Sequence, residues 1–566
     1  MIPRPSLYYP RRNLADHLVA TADRHPESTA VVSGDQSISF RELDAMANAL
    51  ARAFLAAGFR PGDRVMMAAA NGIEWPITLF GILRAGGAIV VVNPRWNAEE
   101  LAKSVTLTNP KLIITDEVSR VAAEATGRPL WTIDRETSGT FWSAIRGQSA
   151  EPVESAELRW EQDEAMLFFS SGTTGAPKAV RHSHYSLGAS VINWKSAIRL
   201  RFSDRQQFPL PLFTGFGAST IIGSAMAGAT LHLTTGNDAE SIAAEMERER
   251  ITHSMLVAPV AQKIAALPGL ESFDVSSVRV LVWCATAVNE SIAKTVTERT
   301  GLHWVIGYGM TELLGLHCNP AESPELCRVD SVGVPRSDCE VRIVDPDTLQ
   351  DVPPGTEGEI IARSPARMIG YLPEDADADV FLDGGWLRTG DIGRVEPGGW
   401  LVLTDRLKDL IKVSGLQVAP VEVESAILAH PAVSDCAVVG APDERRGETP
   451  VAFVVLREPA SEEEIRTWLA GQAEHLQGAL PADHGHRHSA HGVGEDPAPR
   501  VEEGSRGLPS PVAATRRRHL RSPADTTGTR QMGILIRGRS ALTPEVAAKT
   551  MALYMSLFSA PLRQPA

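Results

Sequence analysis

The sequence predicts an α/β protein in which a large N-terminal domain is followed by a small α+β domain. From Asn13 onward, apolar strands alternate with amphipathic helices, which implies parallel strands joined by right-handed crossovers. Beyond Val332, short strands are separated by Gly, Pro and Asp turns, a pattern typical of antiparallel β structure. The chain has 566 residues, 43% of them hydrophobic and 22% charged, so it can bury one large core and a smaller one.

The elements of the large domain follow from hydrophobic periodicity. LADHLVATADRHP predicts an amphipathic helix, TAVVSGDQSISF predicts two strands around a turn, and FRELDAMANALARAFLAAG predicts a helix that ends at a glycine. RVMMAAAN, WPITLFGILRAGG and AIVVVNP then predict a strand, a helix and another strand. The alternation resumes with SIAAEMERERITHSMLVAPV and with VRVLVWCATAVNESIAKTVTERTG.

The remainder divides the chain into three predicted parts. CEVRIVD, GEIIARS and GWLRTGDIGRVEPGGWLVLTDR predict antiparallel strands that complete a large domain over residues 1–405. DLIKVSG, VEVESAILAH, CAVVGAPD and PVAFVVL predict a strand, a helix and two strands of a small, partial domain over residues 406–477. Residues 478–566 have little periodicity and many Pro, Gly, His and Arg, a composition that predicts disorder.

Charge and cysteine content exclude several classes of protein. A formal net charge of −14 argues against a general nucleic-acid binder, which needs a basic face. The five cysteines form no CxxC pair, so free thiols in a reducing compartment are expected. The sequence contains no recognisable signal peptide. It also contains no run of about 18 apolar residues, which a membrane span would need. We therefore expect a cytoplasmic protein.

A loop rich in Gly, Ser and Thr follows the predicted strand MLFFS. It runs SSGTTGAPK from Ser170 to Lys178, and Pro177 stands where a Walker A loop needs a glycine. Glycines let backbone N–H groups turn toward an anion, hydroxyls add donors, and Lys178 adds a positive charge. A polar surface turn is the alternative interpretation, which two adjacent threonines between glycines disfavour. By itself the loop indicates a nucleotide phosphate and no more.

Three further motifs contain candidate site residues. YGMTE begins with Tyr308, whose ring can lie on a base, and ends with a carboxylate that can hold Mg²⁺; alone it equally fits a helix start with Thr311 and Glu312 near the N-cap. WLRTGD ends at Asp391, an acceptor that suits two ribose hydroxyls or an Asx turn. DRLKDLIKVSGLQV, from Asp405, alone fits a solvated linker between domains.

In this order and spacing, the four motifs resemble the adenylate-forming superfamily, the AMP-binding acyl-CoA synthetases or acid–CoA ligases. The resemblance covers roughly residues 10 to 457. It implies a large adenylate-forming domain of α/β sheets plus a small β-barrel, and a small mobile α+β C-terminal domain. It also implies that a carboxylate attacks the α-phosphate of ATP, after which a thiol attacks the resulting acyl-adenylate.

The resemblance implies a role for each matched residue. Thr311, Glu312 and Gln417 would be catalytic: Thr311 would contact the α-phosphate, Glu312 would bind Mg²⁺, and Gln417 would lie near the α-phosphate during adenylation. The residues that would bind ATP are Ser170, Ser171, Gly172, Thr173, Thr174, Gly175, Lys178, Ala285, Thr286, Ala287, Tyr308, Gly309, Asp391 and Arg406. Lys408 matches the hinge of the small domain, and Gly415 would line the path of CoA.

Within the ATP set, each motif would take one part of the nucleotide. The glycine-rich loop would hold the β- and γ-phosphates, which become the leaving group. Tyr308 would stack on adenine opposite the segment 285–287, and Asp391 would take the ribose hydroxyls with help from Arg406. Rotation about Lys408 would let one active site present different groups to two transition states.

The acid site departs from the family pattern. In PLFTGFG, a threonine replaces the usual His after the aromatic residue, and WCATA stands where relatives often have GGAP. The predicted acyl-pocket residues are Phe213, Thr214, Phe216, Trp283 and Ile306. The tryptophan at the end of its strand is as well explained by the core as by the pocket. The set indicates an apolar aliphatic or aromatic acid, as in fatty acid metabolism, with no basic residue evidently awaiting a second carboxylate.

The C-terminal residues depart furthest. Relatives end with a loop whose lysine neutralises charge in the adenylation transition state, and no such loop follows RTWLAGQAEHLQ. We propose a frameshift in the gene or in its reading, because a forward shift of one nucleotide near residues 482–496 permits codons for a family-like ending. High GC content in a wrong frame would also explain the abundance of Pro, Arg, His and Gly.

Three functions therefore stay open at the level of sequence. The first is a CoA ligase that converts a small carboxylic acid, ATP and CoA to acyl-CoA, AMP and pyrophosphate. The second is a stand-alone adenylating enzyme that loads an acyl carrier protein; Gly415 and Gln417 in VSGLQV favour CoA instead. The third is a catalytically impaired homologue that lacks the C-terminal lysine.

Overall fold

A computed structural model describes residues 6–134, 139–169, 177–234, 238–286, 288–413, 416–443, 447–471 and 533–536. In these ranges the helices are α1 (Asp16–Arg24), α2 (Phe40–Ala56), α3 (Glu74–Arg84), α4 (Ala98–Thr108), α5 (Arg120–Glu124), α6 (Thr140–Arg146), α7 (His184–Ala197), α8 (Gly215–Ala227), α9 (Ala239–Arg248), α10 (Ala258–Ala265), α11 (Glu290–Thr300), α12 (Pro420–Leu428) and α13 (Glu462–Gly471).

The strands in the same ranges are β1 (Thr29–Ser33), β2 (Gln36–Ser39), β3 (Arg64–Ala68), β4 (Ala88–Val91), β5 (Leu112–Thr115), β6 (Leu130–Thr132), β7 (Glu164–Phe169), β8 (Ala179–Ser183), β9 (Arg205–Phe208), β10 (Thr230–Leu233), β11 (His253–Leu256), β12 (Val280–Trp283), β13 (Trp304–Met310), β14 (Leu313–Cys318), β15 (Val334–Pro335), β16 (Glu340–Val344), β17 (Gly358–Arg363), β18 (Gly370–Leu372), β19 (Leu387–Glu396), β20 (Trp400–Arg406), β21 (Ile411–Val413), β22 (Leu416–Val418), β23 (Val433–Asp443), β24 (Gly447–Leu456) and β25 (Gly533–Ile536).

Two large sheets organise the first part of the chain. One has the strand order β18-β8-β7-β4-β3-β5-β6, and the other β15-β14-β13-β12-β11-β9-β10-β1-β2. Their central strands pair in parallel, as between β3 and β4 and between β12 and β13. Strands such as β4 and β5 are buried along their whole length, because helices cover parallel sheets on both faces. The predicted α/β class is confirmed.

The turn-rich region forms a four-stranded antiparallel sheet in the order β16-β17-β19-β20. The chain then divides into a larger compact unit that extends to Leu410 and a smaller one that begins at Ile411. In the smaller unit, β21 to β24 form an antiparallel sheet, and β25 pairs in parallel with β24. Its core is formed by Ile411, Val418, Val423, Ile427, Val433, Val438, Ala452, Val454, Ile465 and Leu469.

The region around YGMTE corrects one local expectation. Taken alone, the motif fits a helix start with Thr311 and Glu312 near the N-cap. In the structure these two residues instead form the turn between β13 and β14. The two strands pair antiparallel, with Gly307 opposite Cys318 at the open end of the hairpin. The helix interpretation is wrong because β13 continues through Met310, which pairs with Leu313 of β14 across the turn.

A membrane crossing finds no support in the described ranges. No helix there combines the length and the apolar character that a bilayer requires.

Candidate active site

The glycine-rich loop connects two paired strands. β7 and β8 pair antiparallel, with Phe169 opposite Ala179. The predicted phosphate-binding residues from Ser170 to Gly175 lie outside the described residues. Lys178 is described, and its Nζ lies 5.4 Å from the centre of the Tyr371 ring. This cation–π contact places the lysine beside the residues of the second motif.

The second motif meets the loop through Tyr371. The Tyr371 hydroxyl donates a hydrogen bond of 2.7 Å to Oε1 of Glu312, whose side chain is buried. Burial and the negative charge of Glu312 raise the pKa of Tyr371 above its ordinary value. These contacts therefore form a continuous chain: the Lys178 cation lies over the Tyr371 ring, and the Glu312 carboxylate accepts from the hydroxyl of that ring.

Thr311 is held through its backbone. Its carbonyl oxygen accepts a hydrogen bond of 2.8 Å from Nε2 of His182, which must be the protonated nitrogen because a carbonyl can only accept. The other ring nitrogen, Nδ1, lies 3.1 Å from the hydroxyl of Ser186 at the start of α7. Complete burial lowers the pKa of His182 to about 4, so the neutral ring is the stable form.

Gly309 permits a close approach of the two strands of this hairpin. A Cβ atom at this position would overlap the backbone of Gly315 in β14. Gly315 itself has φ of +77°, in the region that favours glycine. The predicted nucleotide-site glycine is therefore required by the geometry of the β13–β14 turn.

Asp391 joins the second motif to the third. The Tyr308 hydroxyl donates a hydrogen bond of 2.6 Å to Oδ2, and Nε of Arg406 lies 3.1 Å from Oδ1. The backbone N–H of Asp391 donates to the Thr389 hydroxyl, which in turn donates to the carbonyl of Ile360. Tertiary structure thus brings together Tyr308, Asp391 and Arg406, which the sequence had assigned to one nucleotide site.

Burial and charge act in opposite directions on this cluster. Burial raises the pKa of Asp391, while the positive charge of Arg406 and the hydrogen bond from Tyr308 lower it. Burial also raises the pKa of Tyr308 well above its ordinary value, and the Asp391 charge adds to that shift. Tyr308 is therefore a stable donor to the carboxylate.

The predicted adenine segment lies after β12. Ala285 has φ of +60°, a conformation that costs free energy in a residue other than glycine. The Thr286 hydroxyl accepts hydrogen bonds from the indole Nε1 of Trp283 at 3.1 Å and from the backbone N–H of Ala258 at 3.0 Å. Ala287 lies outside the described residues.

The predicted acyl-pocket residues divide between the two faces of the second sheet. Trp283 pairs in register with Ile306 and contacts Trp304, whose Nε1 donates to the Ala293 carbonyl in α11. Side chains alternate along a strand, so Gly307 belongs to the opposite face. Trp283 is completely buried. This placement favours the core interpretation of Trp283 over the pocket interpretation.

The remaining pocket candidates lie at the start of α8. Thr214 is the N-cap: its hydroxyl accepts from the N–H of Gly217 at 3.1 Å and donates to the Pro211 carbonyl. Phe213 is partly buried against the core, and the ring of Phe216 lies edge-on to that of Trp194, with centres 5.4 Å apart. The threonine that replaces the usual family histidine is therefore occupied in starting a helix.

The predicted hinge and CoA residues follow β20. The backbone N–H of Leu407 donates to the Gly390 carbonyl at 2.8 Å, which ties the segment after β20 to β19 beside Asp391. Lys408 lies in this segment of the larger unit, and its positive charge helps to lower the pKa of Asp391. Gln417 lies in β22, where its backbone pairs with Lys412, and Gly415 lies outside the described residues.

Three residues of this region were missed by sequence reasoning. They are His182, Trp194 and Tyr371. None lies in a motif that the sequence marks, and each contacts a residue outside its own secondary-structure element. Their signal is long-range packing, which a single sequence does not display.

Comparison with known proteins agrees with this geometry. A family model described as "AMP-binding enzyme" matches residues 18–372, and one described as "AMP-binding enzyme C-terminal domain" matches residues 422–482. The first match covers more than half of the chain, so the chain belongs to the AMP-binding enzyme family. The resemblance to the adenylate-forming acid–CoA ligases, and with it the predicted enzyme class, is confirmed.

Individual relatives are similar over most of their length. A feruloyl-CoA synthase from Amycolatopsis sp is 33% identical over 80% of this chain and 90% of its own. A 4-coumarate–CoA ligase-like protein 9 from Oryza sativa subsp. japonica is 32% identical over 79% of this chain and 85% of its own. The solved structure of the anthranilate CoA ligase AuaEII with anthranoyl-AMP has a TM-score of 0.76 and 28% identity, covering 84% of this chain and 92% of that one.

Proposed function

We propose that this protein activates an apolar aliphatic or aromatic carboxylic acid with ATP and transfers the acyl group to coenzyme A. The observation that carries the proposal is the convergence of Tyr308 and Arg406 on Asp391. The relatives named above are CoA ligases and synthases, which favours CoA as the acceptor. Neither of these relatives is named as a carrier-protein ligase, so that alternative stays a prediction without support.

In the first half-reaction, a carboxylate oxygen of the acid forms a bond to the α-phosphorus of ATP, and the bond to the β-phosphate oxygen breaks. Asp391 holds the ribose: each of its oxygens accepts one protein hydrogen bond and keeps lone pairs for the ribose hydroxyls. Tyr308 lies against adenine. Thr311 faces the α-phosphate, with its backbone fixed by His182.

The leaving pyrophosphate is held by the glycine-rich loop and by Lys178. The lysine lies over the Tyr371 ring, and the Tyr371 hydroxyl donates a hydrogen bond to Glu312. These two contacts fix the distance between the lysine cation and the carboxylate. Glu312 uses one oxygen for that bond and keeps free lone pairs, which suit Mg²⁺. Substrate phosphates and water usually complete the coordination shell of this ion. When bound, the ion would neutralise charge on the phosphates.

In the second half-reaction, the sulfur of CoA attacks the acyl carbon, the bond to the AMP oxygen breaks, and the thiol proton passes to solvent. We propose that Lys408 is the hinge between a domain of residues 1–405 and one of residues 406–477. Gly415 would then line the path of CoA, and Gln417 would act during adenylation.

Two assays test the function separately. Pyrophosphate release across short-chain, long-chain and aryl acids reports adenylation, and conversion of a synthetic acyl-adenylate with CoA reports thioester formation. Acid-dependent pyrophosphate release in the first assay, or CoA-dependent thioester formation in the second, supports the proposal. If no acid releases pyrophosphate and no acyl-adenylate yields a thioester, the proposal is wrong.

A further inference from the structure

A buried tryptophan contacts the predicted adenine segment from the core side. Trp283 ends β12 and is completely buried, whereas Ala285, two residues later, is exposed. The chain therefore leaves the core within two residues. Trp283 pairs in register with Ile306, which lies two residues before Tyr308 in β13. The segment thus begins beside the strand that carries the ring proposed to lie against adenine.

The contact is made through the hydroxyl of Thr286, which is fully used by the protein. This hydroxyl accepts from the indole Nε1 of Trp283 at 3.1 Å and from the backbone N–H of Ala258 at 3.0 Å, and it donates to the Cys284 carbonyl at 3.4 Å. A hydroxyl has one proton and two lone pairs, so no hydrogen bond of this group is left for a nucleotide. The Thr286 hydroxyl therefore fixes the segment and does not itself bind ATP.

The two donors need this hydroxyl as much as the segment does. Ala258 is the first residue of α10, where the N–H groups have no acceptor within the helix, and the N-cap residue Val257 supplies no side-chain cap. The indole N–H of Trp283 lies in the core, where a donor without an acceptor is costly. One hydroxyl therefore satisfies the end of β12 and the start of α10, and it ties both to the segment.

The segment requires such a restraint because of its backbone conformation. Ala285 has φ of +60°, and a residue other than glycine keeps this conformation only where its surroundings enforce it. Ala285 lies between Cys284 and Thr286, the two residues that the hydroxyl-to-carbonyl bond joins. That bond closes the turn, and the indole together with the α10 amide holds the hydroxyl in place.

The same contact explains a departure in the sequence. WCATA stands where relatives often have GGAP, and its tryptophan and threonine are the two bulky residues of the run. In the structure these two residues are hydrogen-bonded to each other. The departure is therefore a matched pair, in which the threonine supplies the acceptor that the buried indole needs.

We propose that Trp283 is a positioning residue for ATP: through the Thr286 hydroxyl, its indole N–H holds residues 284–286 in the conformation that faces the adenine base. The inference rests on the proposed function, and it adds a residue of the core to the recognition of the nucleotide. Loss of the indole N–H should weaken the contact with the base, because the turn at Ala285 loses one of its restraints. The contacts with the ribose and the phosphates belong to other elements and should stay unchanged.

Three variants separate this role from a general loss of packing. Trp283→Phe keeps an aromatic ring in the core and removes the donor, and Thr286→Val keeps the branched shape and removes the hydroxyl. Trp304→Phe is the matched control: Trp304 is only 2% exposed, lies edge-on to Trp283 at 5.1 Å, and donates its indole N–H to the Ala293 carbonyl in α11. Each Trp→Phe change thus removes one indole hydrogen bond from the same cluster, and both should lower the thermal stability by similar amounts.

The measurement is nucleotide binding by calorimetry, with the full chain and without acid. Dissociation constants are determined for ATP and for ribose 5-triphosphate, which is ATP without its base. We expect Trp283→Phe and Thr286→Val to weaken ATP binding about five- to twentyfold, the effect of one hydrogen bond, and to leave ribose 5-triphosphate binding unchanged. Trp304→Phe should bind both ligands as the wild type does. The double variant Trp283→Phe/Thr286→Val should bind ATP no more weakly than Thr286→Val, because both changes remove the same bond.

The outcomes separate this inference from the proposed function. If Trp283→Phe and Trp304→Phe change the dissociation constant of ATP by the same factor, or if Trp283→Phe weakens both ligands equally, the inference is overturned while the ligase function stands. If Trp283→Phe fails to fold, an unchanged ATP affinity in Thr286→Val overturns it. If the wild type does not bind ATP and no acid releases pyrophosphate, the proposed function itself fails, and the inference fails with it.

Discussion

Asp391 shows how single residues define this site. Three motifs meet at its carboxylate: the Tyr308 hydroxyl, 83 residues earlier in the chain, contacts one oxygen, and Arg406 contacts the other. The motif residues alone also fitted an Asx turn. The contact with Tyr308 favours the ribose role, because it places the acceptor beside the ring that would hold adenine.

Tyr308→Phe tests this contact. The variant keeps the aromatic ring but leaves Oδ2 of Asp391 without its donor, so we expect kcat/KM for ATP to fall about five- to twentyfold, the effect of one hydrogen bond of about 1–1.8 kcal/mol. Pyrophosphate release at varied ATP and fixed acid measures the change. Tyr9→Phe is the control, since Tyr9 makes an equivalent bond of 2.8 Å to Asp338. If kcat/KM for ATP is the same in both variants, the assignment of the Tyr308–Asp391 pair to the nucleotide site is wrong.

His182 predicts a pH dependence of stability. Burial lowers its pKa from 6.5 to about 4, so between these values the unfolded chain binds a proton that the folded chain does not. The free energy of unfolding should therefore be complete above pH 6.5 and fall as the pH drops toward 4, by up to about 1.4 kcal/mol per pH unit for this residue.

His182→Gln should flatten that slope in urea unfolding measured at pH 6.5, 5.5 and 4.5. Other buried groups, including His184 with a pKa of about 4, keep part of the slope in both proteins. The exposed His303 supplies the control, and His303→Gln should leave the slope of the wild type. A His182→Gln slope equal to that of the wild type would show that this ring is not neutral in the folded protein.

At the scale of elements, the β13–β14 hairpin positions most of the proposed catalytic groups. It carries Tyr308 at its first strand and Thr311 with Glu312 in its turn. Its two strands approach closely because Gly309 faces Gly315 without a side chain. The geometry of the hairpin therefore depends on two glycines.

Gly309→Ala should disrupt this element. The added methyl would overlap the Gly315 backbone, so we expect a loss of about 1–3 kcal/mol in stability and the loss of ATP-dependent activity. Gly223→Ala in α8 is the comparison, because its methyl would lie 3.7 Å from Val191, an ordinary contact. That variant should be stabilised by about 0.5–1 kcal/mol. Thermal unfolding measures the stability of both variants. If the two substitutions change stability in the same direction, the predicted clash at Gly309 is wrong.

At the scale of the whole molecule, the C-terminal part of the sequence limits the predicted rate. The family model of the small domain matches up to residue 482, and the lysine loop that the resemblance implies is not recognisable after it. A preorganised charge is worth about 2.7–4 kcal/mol in such sites, or about 100- to 1000-fold in rate. The frameshift hypothesis attributes the missing lysine loop to a frameshift in the gene or in its reading.

Restoring the reading frame of the gene should change the rates of the two half-reactions by different amounts. We expect the frame-restored chain to release pyrophosphate about 100- to 1000-fold faster than the present chain, with a smaller change in thioester formation from a synthetic acyl-adenylate. Rapid acid-dependent pyrophosphate release by the present chain would refute the prediction. The hypothesis itself is wrong if none of the three frames encodes a family-like ending.

Much of the fold was predictable because its signals are local. Helices such as FRELDAMANALARAFLAAG and strands such as AIVVVNP have the periodicity and end residues that mark α2 and β4. The YGMTE turn was not predictable in isolation, because a Thr-Glu pair also begins helices. There the pairing of β13 with its neighbours decided the conformation.

The sequence by itself determined the family and the chemistry, because the four motifs are short, ordered and specific in their combination. Only the tertiary structure decided which residues share a face of the sheet. It placed Trp283 on the α11 side in the core, and it brought Trp194 to the side of Phe216. The physical reason is that strand register and helix packing, which join distant segments, decide the surroundings of a side chain.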